Sequence, residues 1–415
     1  MERGNKLKAF AEHITESASK NTHMTHIEDK VLYGGVNGTR QAIFALRDLR
    51  DLLAGHGGKV SVKWDGAPAV FAGTDPSDGK FFVAKKGIFN KNPKVYKTDA
   101  DIDDDTSGDL NVKLKEALKY LSKLNIKGVI QGDFLFGGGD RKIKAIEGKK
   151  YLTFHPNTIV YAVPVENAAE IRNAKIGIVW HTTYTGSTFE SMKASYGVDV
   201  KALNKSPAVW SVDAILTDAT NATMTKTETA DVNSSLSKIG KLFNKISGST
   251  LRQLESNQVL ASHLETFHNS LIRQGVDFKS KDAKWLVSQS IKFIQAKYSK
   301  EIAKRKSAAG KATQQKKLDE LLKFFSEDNR TNLVLMYNLM KQIIIVKLKL
   351  INKLNRLQNI DTFVKTKNGY KVTGAEGFVA IDKLGGDAVK IVDRMEFSQN
   401  NFSADILKGW DKSGR

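Results

Sequence analysis

Two stretches of the chain carry the alternation of β-strands, and a long stretch between them carries only helical periodicity. Between residues 59 and 200, turn residues separate short runs such as "KVSVKW", "AVFAG", "KFFVAKKGIF", "GVIQGDFLF", "TIVYAVPV" and "IGIVWHTTY". One helical pattern, "LNVKLKEALKYLSKLNIKG", interrupts them, which points to α+β rather than an all-β sandwich. From about residue 234 to 359 apolar residues recur three and four apart, as in "SLSKIGKLFNKI" and "KKLDELLKFF". β character returns in "TFVKTKNGYKVT", where Asn368-Gly369 is a hairpin signal, and in "GFVAID" and "DAVKIVDR". The economical arrangement is one β-rich core split by a helical insertion. Its expected divisions are an N-terminal helical segment (1–55), a first core part (56–233), the insertion (234–359) and a second core part (360–415).

The chain has no cysteine, which excludes disulfides, thiolate catalysis and Cys-based zinc sites. Its net charge of +20 is spread along the sequence, which favours polyanionic partners or describes a lysine-rich exterior. The start, "MERGNKLKAFAEHITESASK", lacks the apolar run of a secretory signal. The most apolar stretch, "NLVLMYNLMKQIIIVKLKLI", is broken by Lys341, Lys347 and Lys349, short of the ~20 apolar residues of a membrane span. The expectation is a cytoplasmic protein with no membrane contact.

One lysine stands out. In "KVSVKWDGAPAVFAG", Lys63 follows Val60 and Val62 near a strand end and is read as sharing their face, just before the turn pair Asp65-Gly66. An amine turned partly inward is disfavoured unless it is used, and a neutral amine is a nucleophile. The plain alternative is an exposed lysine at a hairpin corner.

Lys63-Trp64-Asp65-Gly66 matches the K-x-D-G signature of the covalent nucleotidyltransferases, the superfamily of ATP-dependent DNA ligases, RNA ligases and mRNA capping enzymes. Further segments resemble that superfamily's other motifs, in the same order: "AKKGIF" with Lys86, "QGDF" with Asp133, "EGFVAID" from Glu376 and "AVKIV" with Lys390. The resemblance implies an antiparallel-sheet nucleotidyltransferase core (ATP-grasp-like ligase adenylation) with a large helical insertion. It implies ATP and Mg²⁺ as cofactors and an activity joining 5′-phosphate to 3′-hydroxyl ends of RNA or DNA. By the same resemblance Lys63 is the covalent nucleophile, and Asp65 orients it or contacts the nucleotide beside Gly66. Asp133 and Glu376 serve the ribose or the metal, Lys390 and Lys86 neutralise phosphate, and Tyr161 is a candidate to stack on adenine, against a reading as a core tyrosine.

Three departures qualify the match. Pro68 stands where DNA ligases and capping enzymes carry arginine, Val392 replaces a second lysine, and the residues after Lys390 are too few for an OB-fold. RNA ligases are therefore the nearer comparison. "THIEDKVLYGGVNGTRQAI" and "KWDGAPAVFAG" also resemble segments of an uncharacterised protein family of large tailed phages. A binding or virion-associated protein that keeps the fold without the chemistry is the alternative, as is adenylyl transfer to another acceptor.

Other signals read as structural. "DADIDDDTSGD" lacks the glycine and glutamate of an EF-hand loop and is expected to be a solvated loop. His23 and His26 have no evident third ligand, and Gly137-Gly138-Gly139 reads as a turn. The insertion's basic stretch, including Lys304, Arg305, Lys306, Lys316 and Lys317, is the expected nucleic-acid-binding surface.

Overall fold

The computed structural model describes residues 24–56, 60–216, 223–357, 360–381 and 388–410. Helix α1 (Lys30–Leu53) leads into β1 (Val60–Lys63), β2 (Ala69–Thr74) and β3 (Phe81–Ala84). Helices α2 (Asp99–Asp105) and α3 (Gly108–Leu121) precede β4 (Val129–Phe136), β5 (Lys142–Ile146), β6 (Lys149–Phe154) and β7 (Ile159–Pro164). After α4 (Ala169–Asn173) come β8 (Ile176–Thr185), β9 (Lys193–Tyr196), β10 (Val209–Asp213) and β11 (Ile215–Leu216). The helical stretch holds α5 (Lys226–Lys245), α6 (Gly248–Ser256), α7 (Gln258–Arg273), α8 (Ala283–Ala303), α9 (Ala308–Leu322) and α10 (Glu327–Leu354). It is followed by β12 (Asp361–Thr366), β13 (Gly369–Val372), β14 (Gly377–Ile381), β15 (Ala388–Ile391), α11 (Arg394–Phe402) and β16 (Ile406–Leu407).

The fold is α+β, with three sheets whose described pairings are antiparallel except β8 with β10. The first runs β11-β1-β14-β15, the second β10-β8-β4-β2-β3 with β9 on β8, and the third β13-β12-β7-β6-β5 with β16 on β12. Strands from both sides of the helical stretch complete the first and third sheets, so the helices interrupt a shared β framework. They begin at Lys226, ahead of the apolar periodicity, because Thr225 and Glu228 form a reciprocal capping box.

Each sheet has a distinct partner. α1 and the helical stretch bury one side of the first sheet, with Val60, Val62, Phe378, Ala380, Val389 and Ile391 in one core with Leu46, Leu264 and Ile343. Each of the larger of these side chains contributes about 1.5–3 kcal/mol. On the second sheet, α3 lays Leu114, Ala117 and Leu121, spaced for one helix face, against Ile130, Phe134 and Trp180. The third sheet meets the second through Phe136, Phe154, Tyr161 and Trp210, with Trp64 beside them.

Two expectations are revised. The acidic run forms helix α2 rather than a loop: Thr98 accepts from Asp101 N, Asp101 accepts from Thr98 N, and Ile102 is fully buried as its anchor. Carboxylates in a first turn also suit the positive end of the helix dipole. Lys347, read only as a break in an apolar stretch, is 1% exposed and donates two 2.9 Å bonds to the Glu28 carboxylate. Arg394, at the start of α11, pairs with Asp29 at 2.8 Å and Glu28 at 3.3 Å and donates to Asn269 at 2.6 Å. Burial opposes the charge on Glu28, but Lys347 and Arg394 outweigh it and hold the carboxyl below its usual range. This network ties the segment before α1, the helical stretch and the start of α11 together. No helix among the described residues is long and apolar enough to cross a membrane.

Candidate active site

In the first sheet, Val60 lies opposite Ala380, Val62 opposite Phe378 and Lys63 opposite Gly377. β15 continues the ladder, with Ile391 opposite Phe378 and Lys390 opposite Val379. Side chains alternate along a strand, so the valines face the helices while Ser61 and Lys63 face the other way. The expectation that Lys63 shares the face of Val60 and Val62 is therefore corrected: it lies on the opposite face, together with Lys390.

There Lys63 Nζ makes an ion pair with the Glu376 carboxylate, the lysine side chain being 25% exposed and the glutamate 10%. Burial pushes the Glu376 carboxyl up to about 7, Asp65 and Asp133 add to the rise, and Lys63 offsets part of it. Burial and the charge of Lys63 hold the Lys390 ammonium below its usual range. Three groups far apart in sequence thus share one electrostatic environment. A Cβ on Gly377 would collide with the Val392 side chain, which is 2% exposed, so the position at which the superfamily motif has a second lysine is filled by core.

The turn after Lys63 is built from below. Asp65 is 5% exposed and accepts from Asn157 Nδ2 at 2.6 Å, Thr158 N at 2.6 Å and Ile159 N at 2.8 Å. Burial raises its carboxyl despite these donors. Its own N–H donates to Tyr161 Oη at 2.6 Å. Asp65 therefore fastens the loop to the β6–β7 turn. Tyr161 is 4% exposed and lies between Trp64, at 4.9 Å between ring centroids, and Phe154, at 5.3 Å. It braces the loop from the core. Gly66 is dictated by close approach, since a Cβ there would fall 2.5 Å from Asp133 Cβ and 3.0 Å from Phe134 O. Glycine thus brings Asp133 of β4 against the loop.

The remaining candidates lie apart. Lys86 is exposed in a short 3₁₀ turn after β3, and among the described residues no hydrogen bond or ion pair joins it to Lys63, Glu376 or Lys390. Its neighbour Lys85 pairs with Asp105 at 2.9 Å. Lys304, Arg305, Lys306, Lys316 and Lys317 are exposed around the α8–α9 junction and along α9, with Lys304 bonded to Glu301 at 2.9 Å.

A family model matches residues 21–406. The chain belongs to the family of unknown function DUF6267. No curated protein and no solved structure matches it. The DUF6267 span takes in every residue of the Lys63 site.

Several residues of this DUF6267 site escaped the sequence reading. Trp64 Nε1 is buried and, among the described residues, has no hydrogen-bond partner. His181 of β8 brings Nε2 to 3.7 Å from Asp133 Oδ2. Asn157 and Thr158 hold Asp65 from a turn without any motif. Only Trp64 had a signal, its place inside the K-x-D-G run. Among the described residues no three or more histidines and carboxylates gather as a metal cluster. The donor set still fits Mg²⁺, which commonly keeps waters and substrate phosphates and takes one or two protein carboxylates; Asp133 and Glu376 supply two.

Proposed function

We propose that this DUF6267 protein is an ATP-dependent polynucleotide ligase with a nucleotidyltransferase core, nearer the RNA ligases than the DNA ligases. One observation carries the reading: Lys63 and Lys390, singled out by motif order, lie on one face of the first sheet, Glu376, just before β14, pairs with Lys63, and the charge of Lys63 bears on both Glu376 and Lys390. Asp133 stands beside the loop that presents the lysine.

The chemistry follows from those positions. The neutral amine of Lys63 attacks the α-phosphorus of ATP; a P–N bond forms, the bond to the bridging oxygen breaks, and pyrophosphate leaves. Glu376 touches the amine and titrates near neutrality, so it is placed to take the proton that the lysine must lose. Lys390 offsets the charge that grows on the phosphate oxygens. Mg²⁺, when bound, supplies further neutralisation, with Asp133 as its ligand and Glu376 as a second when it does not hold the proton. A 5′-phosphate oxygen then takes AMP from the lysine, and a 3′-hydroxyl displaces AMP to join the ends. A second reading, a nucleic-acid-binding protein of the same fold without this chemistry, draws on the buried Val392 in place of a second lysine.

Incubation with α-labelled ATP and Mg²⁺ tests the proposal. The expected product is labelled protein that survives denaturation, loses label in acid as a phosphoramidate does, and releases it to pyrophosphate. Failure to label across divalent metals, with GTP also tried, favours the second reading.

A further inference from the structure

A cleft of about 480 Å³ adjoins the loop that carries Lys63: Ala67 and Pro68, which follow Gly66, line it together with Tyr370 and Trp410. The third sheet forms one wall. Its register sets Lys142 opposite Thr153, Thr153 opposite Ala162 and Ala162 opposite Asp361, while Lys365 faces Tyr370. By the two-residue alternation, Lys142, Lys144, Lys365 and Tyr370 share one face. Lys142 and Lys144 are exposed, and neither has a carboxylate in ion-pair range among the described residues. Burial, then Lys144 and Lys142, hold the Lys365 ammonium below its usual range, a sign that cations crowd this wall.

Elsewhere the lining carries both signs, with Lys113 of α3 paired to Asp109 at 3.1 Å. Glu116 of α3 accepts from Gly138 N at 3.3 Å, and Asp140 accepts from Gly137 N at 2.8 Å, so the triple-glycine turn holds two carboxylates of the lining. Trp410, 55% exposed, adds a broad flat ring. It is anchored: Gly409 N donates to Asn157 O at 2.6 Å, and Lys408 Nζ donates to Thr158 Oγ1 at 2.7 Å. Asn157 and Thr158 are the residues that grip Asp65, so the ring and the loop of Lys63 hang from one turn.

Lysines on the sheet wall, carboxylates elsewhere in the lining and an anchored aromatic ring fit a ligand with phosphates, amine or hydroxyl donors and flat bases. The helices cover the face of the first sheet turned away from Lys63 and Lys390. We propose that this cleft binds the single-stranded end of a nucleic acid, with phosphates on Lys142 and Lys144 and a base stacked on Trp410. Its role as the acceptor site rests on the ligase reading; its affinity for the strand does not.

The test measures fluorescence anisotropy of a short labelled single-stranded oligonucleotide, RNA and DNA in turn, over a salt series, with ATP labelling of each variant run in parallel. Lys142→Glu/Lys144→Glu is expected to weaken binding at least about tenfold and to flatten its salt dependence, because fewer counterions are released. Trp410→Ala is expected to weaken it by a similar factor with the salt slope unchanged, because stacking carries no charge. Lys142→Ala/Lys144→Ala repeats the charge loss without reversal, and circular dichroism checks that each variant folds. Folded variants that bind as the parent does overturn the cleft, even where labelling with ATP succeeds. Weakened binding without any labelling in the parent upholds the cleft and overturns the ligase reading instead.

Discussion

Glu376→Gln should stabilise the protein while disabling it, and the gain should depend on pH. The Glu376 carboxyl titrates near 7 in the fold against 4.5 in the unfolded chain, and that value already includes the attraction of Lys63. Below pH 4.5 both states hold the proton. Between 4.5 and 7 the folded state keeps a proton that the unfolded chain has released, so stability falls as pH rises. Above 7 the loss is complete. A shift of that size at about 1.4 kcal/mol per unit comes to about 3 kcal/mol at pH 8 and under about 1 kcal/mol at pH 5. Glutamine keeps the shape of the protonated acid and has no charge to desolvate, so the variant should recover roughly these amounts. Urea unfolding of parent and variant from pH 5 to 8, followed by tryptophan fluorescence, reads the difference directly. A difference that stays constant with pH, or a variant less stable at pH 8, would refute the assignment of a strained buried carboxylate at this position.

Lys390→Ala should slow ATP labelling by about a hundredfold, the usual scale for losing one preorganised charge-stabilising group, and a labelling rate within a few-fold of the parent would remove Lys390 from the site. Lys347→Ala, which leaves the buried Glu28 with fewer cations, should cost about 3–5 kcal/mol in urea unfolding, whereas Glu28→Gln/Lys347→Met should recover much of it; a cost below about 1 kcal/mol for the single change would contradict the network's role. Charge reversal of Lys304, Arg305, Lys306, Lys316 and Lys317 should weaken nucleic-acid binding and flatten its salt slope while sparing ATP labelling, and an unchanged slope would make that ridge an ordinary solvated face.

What could be read beforehand was local. The alternation of "KVSVK", the Asn368-Gly369 hairpin signal and the three-to-four spacing after residue 234 each act within a few residues, and strands and helices appear there, the hairpin turning one residue earlier, at Lys367-Asn368. The motif segments marked Lys63 and Lys390, which lie on strands flanking β14, and Glu376, which stands just before it and pairs with Lys63. What could not be read depends on partners distant in sequence. Lys347 is a break in a greasy stretch until Glu28 meets it across the fold. Tyr161 could have stacked on a base until Trp64 and Phe154 are seen on it. The face of Lys63 was misassigned by one residue of register, which in a strand exchanges the core side for the site side. The acidic run was weighed only against an EF-hand loop, and the Thr98-x-x-Asp101 capping spacing that starts its helix was passed over.

The most direct measurement is the intact mass of the protein after incubation with ATP and Mg²⁺, followed by peptide mapping of any adduct. The account predicts the mass gain of one AMP, located on Lys63, and absent from a folded Lys63→Arg variant, because arginine keeps the charge but does not give up its proton to attack. An adduct on another residue, or labelling that persists in Lys63→Arg, would contradict it.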